Sequence, residues 1–169
     1  IGIAIAINGN VYVSNNSTLK LSGVTSVVSG IMRAATSVGN LNVDNSKLVV
    51  DGFTGVSGIT TFKNAKIYLY DDNNTSDDFH ALLISNLDMP GNNELFLRAD
   101  SSKAAGDVNS DFIGIGGAIT GDGKFNVNVF DKGMKNGYGM GTDGPKDLTA
   151  NPITVLYSRD STIDFTSLI

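Results

Sequence analysis

The chain has 169 residues, of which 41% are hydrophobic and 17% charged, with a net charge of −5 and no cysteine. That is the composition of a folded protein, not a disordered one. The acidic balance excludes a basic face for nucleic acid, and the missing cysteine excludes disulfides, thiolate zinc sites and a cysteine nucleophile.

Gly is abundant at 20 residues, and the only Glu is Glu94. Val, Ile, Thr and Asn outweigh the strong helix formers, so strands and tight turns are favoured over helices. The opening "IGIAIAI" is far too short to span a bilayer as a helix and lacks the charged start of a signal peptide. With no initiator Met, the chain reads as a piece cut from a longer protein, and its strand-rich, cysteine-free character suits bacterial export.

Residues 10–23, "NVYVSNNSTLKLSG", set the pattern: two alternating runs around a polar turn. Val11 and Val13 oppose Tyr12, and Leu19 and Leu21 oppose Lys20. The second run, two or three alternating apolar residues closed by Asp or Gly, recurs as "KLVVDG" from Lys47 and "KIYLYD" from Lys66. It returns as "ELFLRAD" from Glu94, "FNVNVFD" from Phe125 and "ITVLYSRD" from Ile153. Companion strands are expected at Leu41 ("LNV"), Ile59 ("ITTF"), His80 ("HALLI") and Asp111 ("DFIGI"). The best helical window, "VVSGIMRAATSV" near Met32, is short and broken by Gly30.

Three all-β solutions fit these signals. A sandwich or jelly roll would use dipeptides such as Asn8-Gly9, Asp51-Gly52 and Asp143-Gly144 as hairpin turns. An outer-membrane barrel needs longer strands and aromatic girdles. A parallel β-helix needs short strands and Asn- and Gly-rich corners at an uneven repeat of roughly 20 to 30 residues, and is the favoured reading.

Residues 91–133, "GNNELFLRADSSKAAGDVNSDFIGIGGAITGDGKFNVNVFDKG", carry a more specific pattern. A strand with Leu95, Leu97, Ala99 and Asp100 precedes an Asp-led strand, Asp111 to Ile115. A Gly-rich bend and a strand through Gly123 to Val129 follow, with a closing run at Pro152 to Leu156. This resembles the C-terminal passenger region of pertactin-like bacterial autotransporters, the type V secretion family. Phe112 stands where that pattern more often has a polar residue.

The resemblance implies a right-handed parallel β-helix with a C-terminal capping, or autochaperone, segment. Residues 1–70 would be rungs of the stem, and 71–169 the last rungs and the cap. The implied function is to template and cap β-helix folding during outer-membrane translocation, at the cell surface or in secretion. Partners would be the upstream β-helix of the same passenger and its membrane barrel. One rung orders more backbone than its burial stabilises, so a rung persists only on a neighbour, and the last rungs must be good ones. The cap core is assigned to Leu95, Leu97, Phe112, Ile113, Ile115, Phe125, Val127, Val129 and Leu156.

Chemistry-bearing residues are few. His80 with Asp77 and Asp78 lacks a nucleophile and reads as a strand-edge histidine. "DVNSD" (107–111) opens like a calcium loop but has Phe112 and Ala118 where Gly and Glu belong. "GYGMGTDG" (137–144) lacks a P-loop lysine. Acidic pairs such as Asp71 and Asp72 raise a polysaccharide lyase, but beside Arg98 and Asp100 no second acid is placed. No enzyme activity, cofactor or metal is expected. By parity Tyr68, Tyr70, Phe96 and Phe130 face outward; the loop at 132–150 or the capping strands are expected to cover them, and left open such a patch marks contact. An adhesin or host-protein-binding module using that side, or self-association, is the alternative function.

Overall fold

The stretch Lys47–Asp51 shows how the alternating phrases fold: Leu48 and Val50 are completely buried, while Lys47 and Asp51 on the opposite face keep contact with solvent. The computed structural model describes residues 6–22, 26–28, 31–33, 36–70, 79–99, 110–131, 154–158 and 160–169. In chain order the strands begin with β1 (Ala6–Val13), β2 (Thr18–Ser22), β3 (Ser26–Val28), β4 (Ile31–Arg33) and β5 (Thr36–Asp44). There follow β6 (Lys47–Asp51), β7 (Phe53–Lys63), β8 (Lys66–Tyr68), β9 (Ala81–Met89) and β10 (Asn93–Ala99). The last are β11 (Phe112–Ile115), β12 (Ile119–Gly121), β13 (Phe125–Asp131) and β14 (Leu156–Tyr157), before a single 3-10 turn at Thr166–Leu168.

The protein is all-β, built on two parallel sheets. A seven-stranded sheet runs β1-β5-β7-β9-β11-β14, with β12 also on β9, and a five-stranded sheet runs β13-β10-β8-β6-β2. Every pairing in both is parallel. The chain alternates between them, and the recurring phrases form the five-stranded sheet while their companions form the other. "ITVLYSRD" departs from this division, because Leu156 pairs with Ile113 in the companions' sheet. Parallel pairing also rules out the hairpin role that a sandwich would give Asn8-Gly9, which lies inside β1. Near Met32, β3 and β4 pair antiparallel, the one antiparallel strand pair among the described residues.

The step between stacked residues is uneven. It is 29 or 30 residues from Ser17 to Ser46 and Asn10 to Asn40, and 19 from Asn45 to Asn64. It then becomes 28 from Ala65 to Asn93 and 32 from Asn92 to Lys124. Register is kept throughout the small sheet, so columns of like residues form: Leu48, Ile67, Leu95 and Val127 lie side by side. These columns face a core shared with Leu41, Val43, Phe62, Leu82 and Leu87 of the other sheet, and Phe62 meets Phe125 edge-on at 6.3 Å. Sheets and core run through residue 70 without interruption.

Two polar ladders hold the bends. At one corner Asn16, Asn45 and Asn64 all adopt left-handed backbone, at φ 60°, 46° and 51°. The Asn64 side chain donates to Asn45 Oδ1 at 3.2 Å. Asn tolerates this conformation better than other non-glycine residues. The second ladder sits mid-strand in the large sheet, where the register shifts between Ile7 and Asn10, Val38 and Leu41, and Val56 and Ile59. There Asn40 Oδ1 accepts from the Ile59 N–H at 2.8 Å, and Asn86 Oδ1 from the Ala118 N–H at 3.0 Å. The glycine just before each donor makes room: a Cβ on Gly58 would collide with the Asn40 side chain and the Gly39 carbonyl, and one on Gly117 would lie 2.7 Å from Asn86 Oδ1. In the last circuit the bend separates β11 from β12.

Candidate functional site

Of the proposed core positions, Leu95, Leu97, Ile113, Ile115 and Phe125 are buried, and Leu156 packs partly buried against the core. Three differ from expectation. Phe112 follows the opposite parity from Ile113 and Ile115, so it lies half-buried on the outer face, edge-on to Tyr157 at 6.3 Å. Val127 and Val129 have inward parity, but β13 is the edge of its sheet, which leaves Val127 partly buried and Val129 39% exposed. At the same end of the stack the residues from 160 onward fold back, bringing Leu168, 3% exposed, into the core with Phe165 beside it. Between this segment and the β12–β13 bend lies an open cleft of about 560 Å³ lined by Asp122, Lys124, Thr162 and Asp164. The Asp160 and Asp164 carboxylates in that segment accept from Thr162 and Thr166, which holds both below the usual carboxylate range.

The outer face of the five-stranded sheet brings together the four aromatics picked out by parity. Tyr68 pairs with Phe96 across β8 and β10, and their rings stack at 4.3 Å and 6°. Tyr70 stands edge-on to Tyr68 at 5.9 Å and to Phe130 at 5.6 Å. Lys47 Nζ covers the other face of Tyr68 at 4.0 Å, and the Arg98 guanidinium lies 5.9 Å from the Tyr70 ring. All four rings are half-buried; Tyr68 and Phe96 meet face to face, and the Tyr70 contacts are edge-on.

Beside them, where strands of the small sheet hand over to the large one, lies a buried polar cluster. Asp111, fully buried, binds Arg98 twice: Nε donates to Oδ2 at 3.1 Å and Nη2 to Oδ1 at 3.2 Å. The same carboxylate accepts the main-chain N–H of Arg98 and of His80, each at 2.7 Å. Asp111 returns its own N–H to the Arg98 carbonyl at 2.9 Å. One side chain thereby joins the end of β10 to the starts of β9 and β11. Burial pushes the Asp111 carboxyl up, while Arg98 pulls it down.

His80 is 3% exposed, not at a strand edge open to solvent. Its Nε2 lies 3.8 Å from Asp51 Oδ1, beyond hydrogen-bond length, and its Nδ1 has no partner among the described residues. Burial and then the nearby Arg98 charge hold this imidazole below its ordinary pKa. Asp51 also meets Lys20 Nζ at 3.4 Å. The sequence offered Arg98 and Asp111 separately; the connection between them, 13 residues apart, hid their pairing. Asp71, Asp72, Asp77, Asp78, Asp100, the first part of "DVNSD" and all of "GYGMGTDG" lie outside the described residues. Among the described residues no three His, Asp or Glu side chains converge as metal ligands.

Compared with protein-family models, curated proteins and solved structures, the chain matches none of them.

Proposed function

We propose that this chain is the C-terminal part of the passenger of a bacterial autotransporter, a right-handed parallel β-helix whose last circuits seed and seal the stack as it leaves the outer membrane. The observation that carries the reading is the parallel alternation between two sheets, closed at one end by the returning segment that buries Leu168. Stacked circuits stabilise one another only as neighbours, so a well-packed end is where such a stack can start. The inward Leu, Ile and Phe of β10, β11 and β13 supply that packing. In this reading the chain works on its own parent and carries no catalysis. A lyase activity is tested by assay for unsaturated sugar products.

The test is deletion of residues 91–169 from the full-length parent protein. Export of a protease-resistant passenger should fail, and residues 1–90 alone should refold far more slowly than the whole chain. An unchanged refolding rate would sink the proposal. The meeting of Tyr68, Tyr70, Phe96 and Phe130 on one outer face favours a second reading, an adhesin or host-protein-binding surface. Ser at positions 68 and 96 separates the two: lost adhesion with normal export supports binding, and lost export supports the cap.

A further inference from the structure

The corner at His80 encloses its ring, which is 3% exposed. Among the described residues, the charged groups facing the imidazole are Asp51 from the end of β6, Arg98 from β10 and Asp111 ahead of β11. Lys20 of β2 faces Asp51, and the Tyr70 ring lies against Arg98. The Val50 backbone also faces the ring and favours its charged form. A proton on His80 puts a positive charge at a site 3% exposed, where burial and the Arg98 guanidinium oppose it.

Neither carboxylate is free to answer it. Asp111 already receives four donors, two from the Arg98 side chain and two from main-chain N–H groups. Asp51 is shared with Lys20 and lies 3.8 Å from Nε2. To close that gap the ring must move, yet its own residue is pinned on both sides. The His80 N–H is held by Asp111 at 2.7 Å, and the His80 carbonyl accepts from the Phe112 N–H at 3.1 Å.

We infer that Asp51, His80, Arg98 and Asp111 form an acid-operated latch: the corner stays shut while the imidazole is neutral, and opens with both sheets standing when it takes a proton. This goes beyond the folding role proposed above and rests only on the corner. The latch lies where β8, β10 and β13 each end, so opening it would release the joints between the sheets without breaking the ladders within them.

The experiment is hydrogen–deuterium exchange on the whole chain at pH 7.5 and pH 5.5, corrected for intrinsic rates, for the wild type and His80→Gln. An ordinary histidine has a pKa of 6.5. One pH unit below that value, protonation favours the open corner by up to about tenfold. The amides of His80, Arg98 and Asp111, which are held by the corner itself, should lose protection by that factor in the wild type and keep it in His80→Gln, with the ladders of β5, β7 and β9 unchanged in both. Equal loss in His80→Gln, loss spread along the ladders of both sheets, or no loss in the wild type overturns the latch. If His80→Gln does not fold, the wild-type imidazole decides by NMR titration, unambiguous because the chain has one histidine. A midpoint well below 6.5 supports the latch, and one at or above 6.5 overturns it.

Discussion

Asp111 grips Arg98 by both its side chain and its main chain, with the Arg98 N–H at 2.7 Å and Nε at 3.1 Å on the same carboxylate oxygen. Removing one charge from a buried pair leaves the other uncompensated, which costs about 3–5 kcal/mol. Asp111→Asn should therefore lower unfolding stability in urea by that amount. Replacing both residues by Met and Leu should not restore it, because two main-chain N–H groups lose their acceptor at about 1–3 kcal/mol each. Full recovery in the double variant would show that the pair, and not the carboxylate's main-chain bonds, holds the corner.

The mid-strand bend makes a paired claim about glycines. Gly58→Ala puts a methyl into the Asn40 side chain and the Gly39 carbonyl, while the nearest atom to a Cβ on Gly116 is the Ile84 carbonyl at 3.8 Å. Overpacking of the first kind costs about 1–3 kcal/mol. Gly116→Ala should stay within about 0.5 kcal/mol of wild type. Thermal denaturation of the two variants side by side is sufficient, and equal effects would contradict the packing described.

Leu168 is the one fully enclosed side chain of the returning C-terminal segment among the described residues. Leu168→Ala should destabilise the chain by about 2–5 kcal/mol, as other buried leucines do. Dye binding by the exposed end of the core should rise with it. A stability loss below about 0.5 kcal/mol would mean that the segment does not seal the stack.

The stacked pair Tyr68 and Phe96 offers a double-mutant cycle. Offset or stacked aromatic pairs contribute about 0.5–1.5 kcal/mol beyond their area burial. Alanine at both positions should therefore show a coupling of that size in equilibrium unfolding. No coupling would mean that the rings are displayed side by side and do not brace the rungs.

Much of this architecture was legible in the sequence. Alternation at Leu48 and Val50, Ile67 and Leu69, and Leu95 and Leu97 marked the inner face of the small sheet, because a side-chain period of two has only one burial solution once a face is covered. The outward aromatics followed from the same parity. What escaped was non-local. β7 is read from Ile59 by its β-branched run, yet it begins at Phe53, since Gly55, Ser57 and Gly58 have low strand propensity; Gly55 is held by parallel ladders on both sides, while Ser57 and Gly58 lie in the register shift. Phe112 was assigned to the core by size, although its neighbours Ile113 and Ile115 already claimed that face. The Asp111 corner had no local signal at all, since its partners, Arg98 and His80, come from the ends of two other strands.

The uneven steps carry a mechanical consequence. Hydrogen bonds between neighbouring strands lie along the stack, so tension applied to the chain's end loads one ladder at a time and leaves those beneath it unstrained. Under such a pull from the C-terminal side the molecule would first give up the returning segment and then unravel in discrete lengths, the 32-residue step, then 28, then 19, and then 30. Run backwards, that sequence is ratchet-like winding: each length is laid down before the next, and slippage is limited to a single unlaid loop.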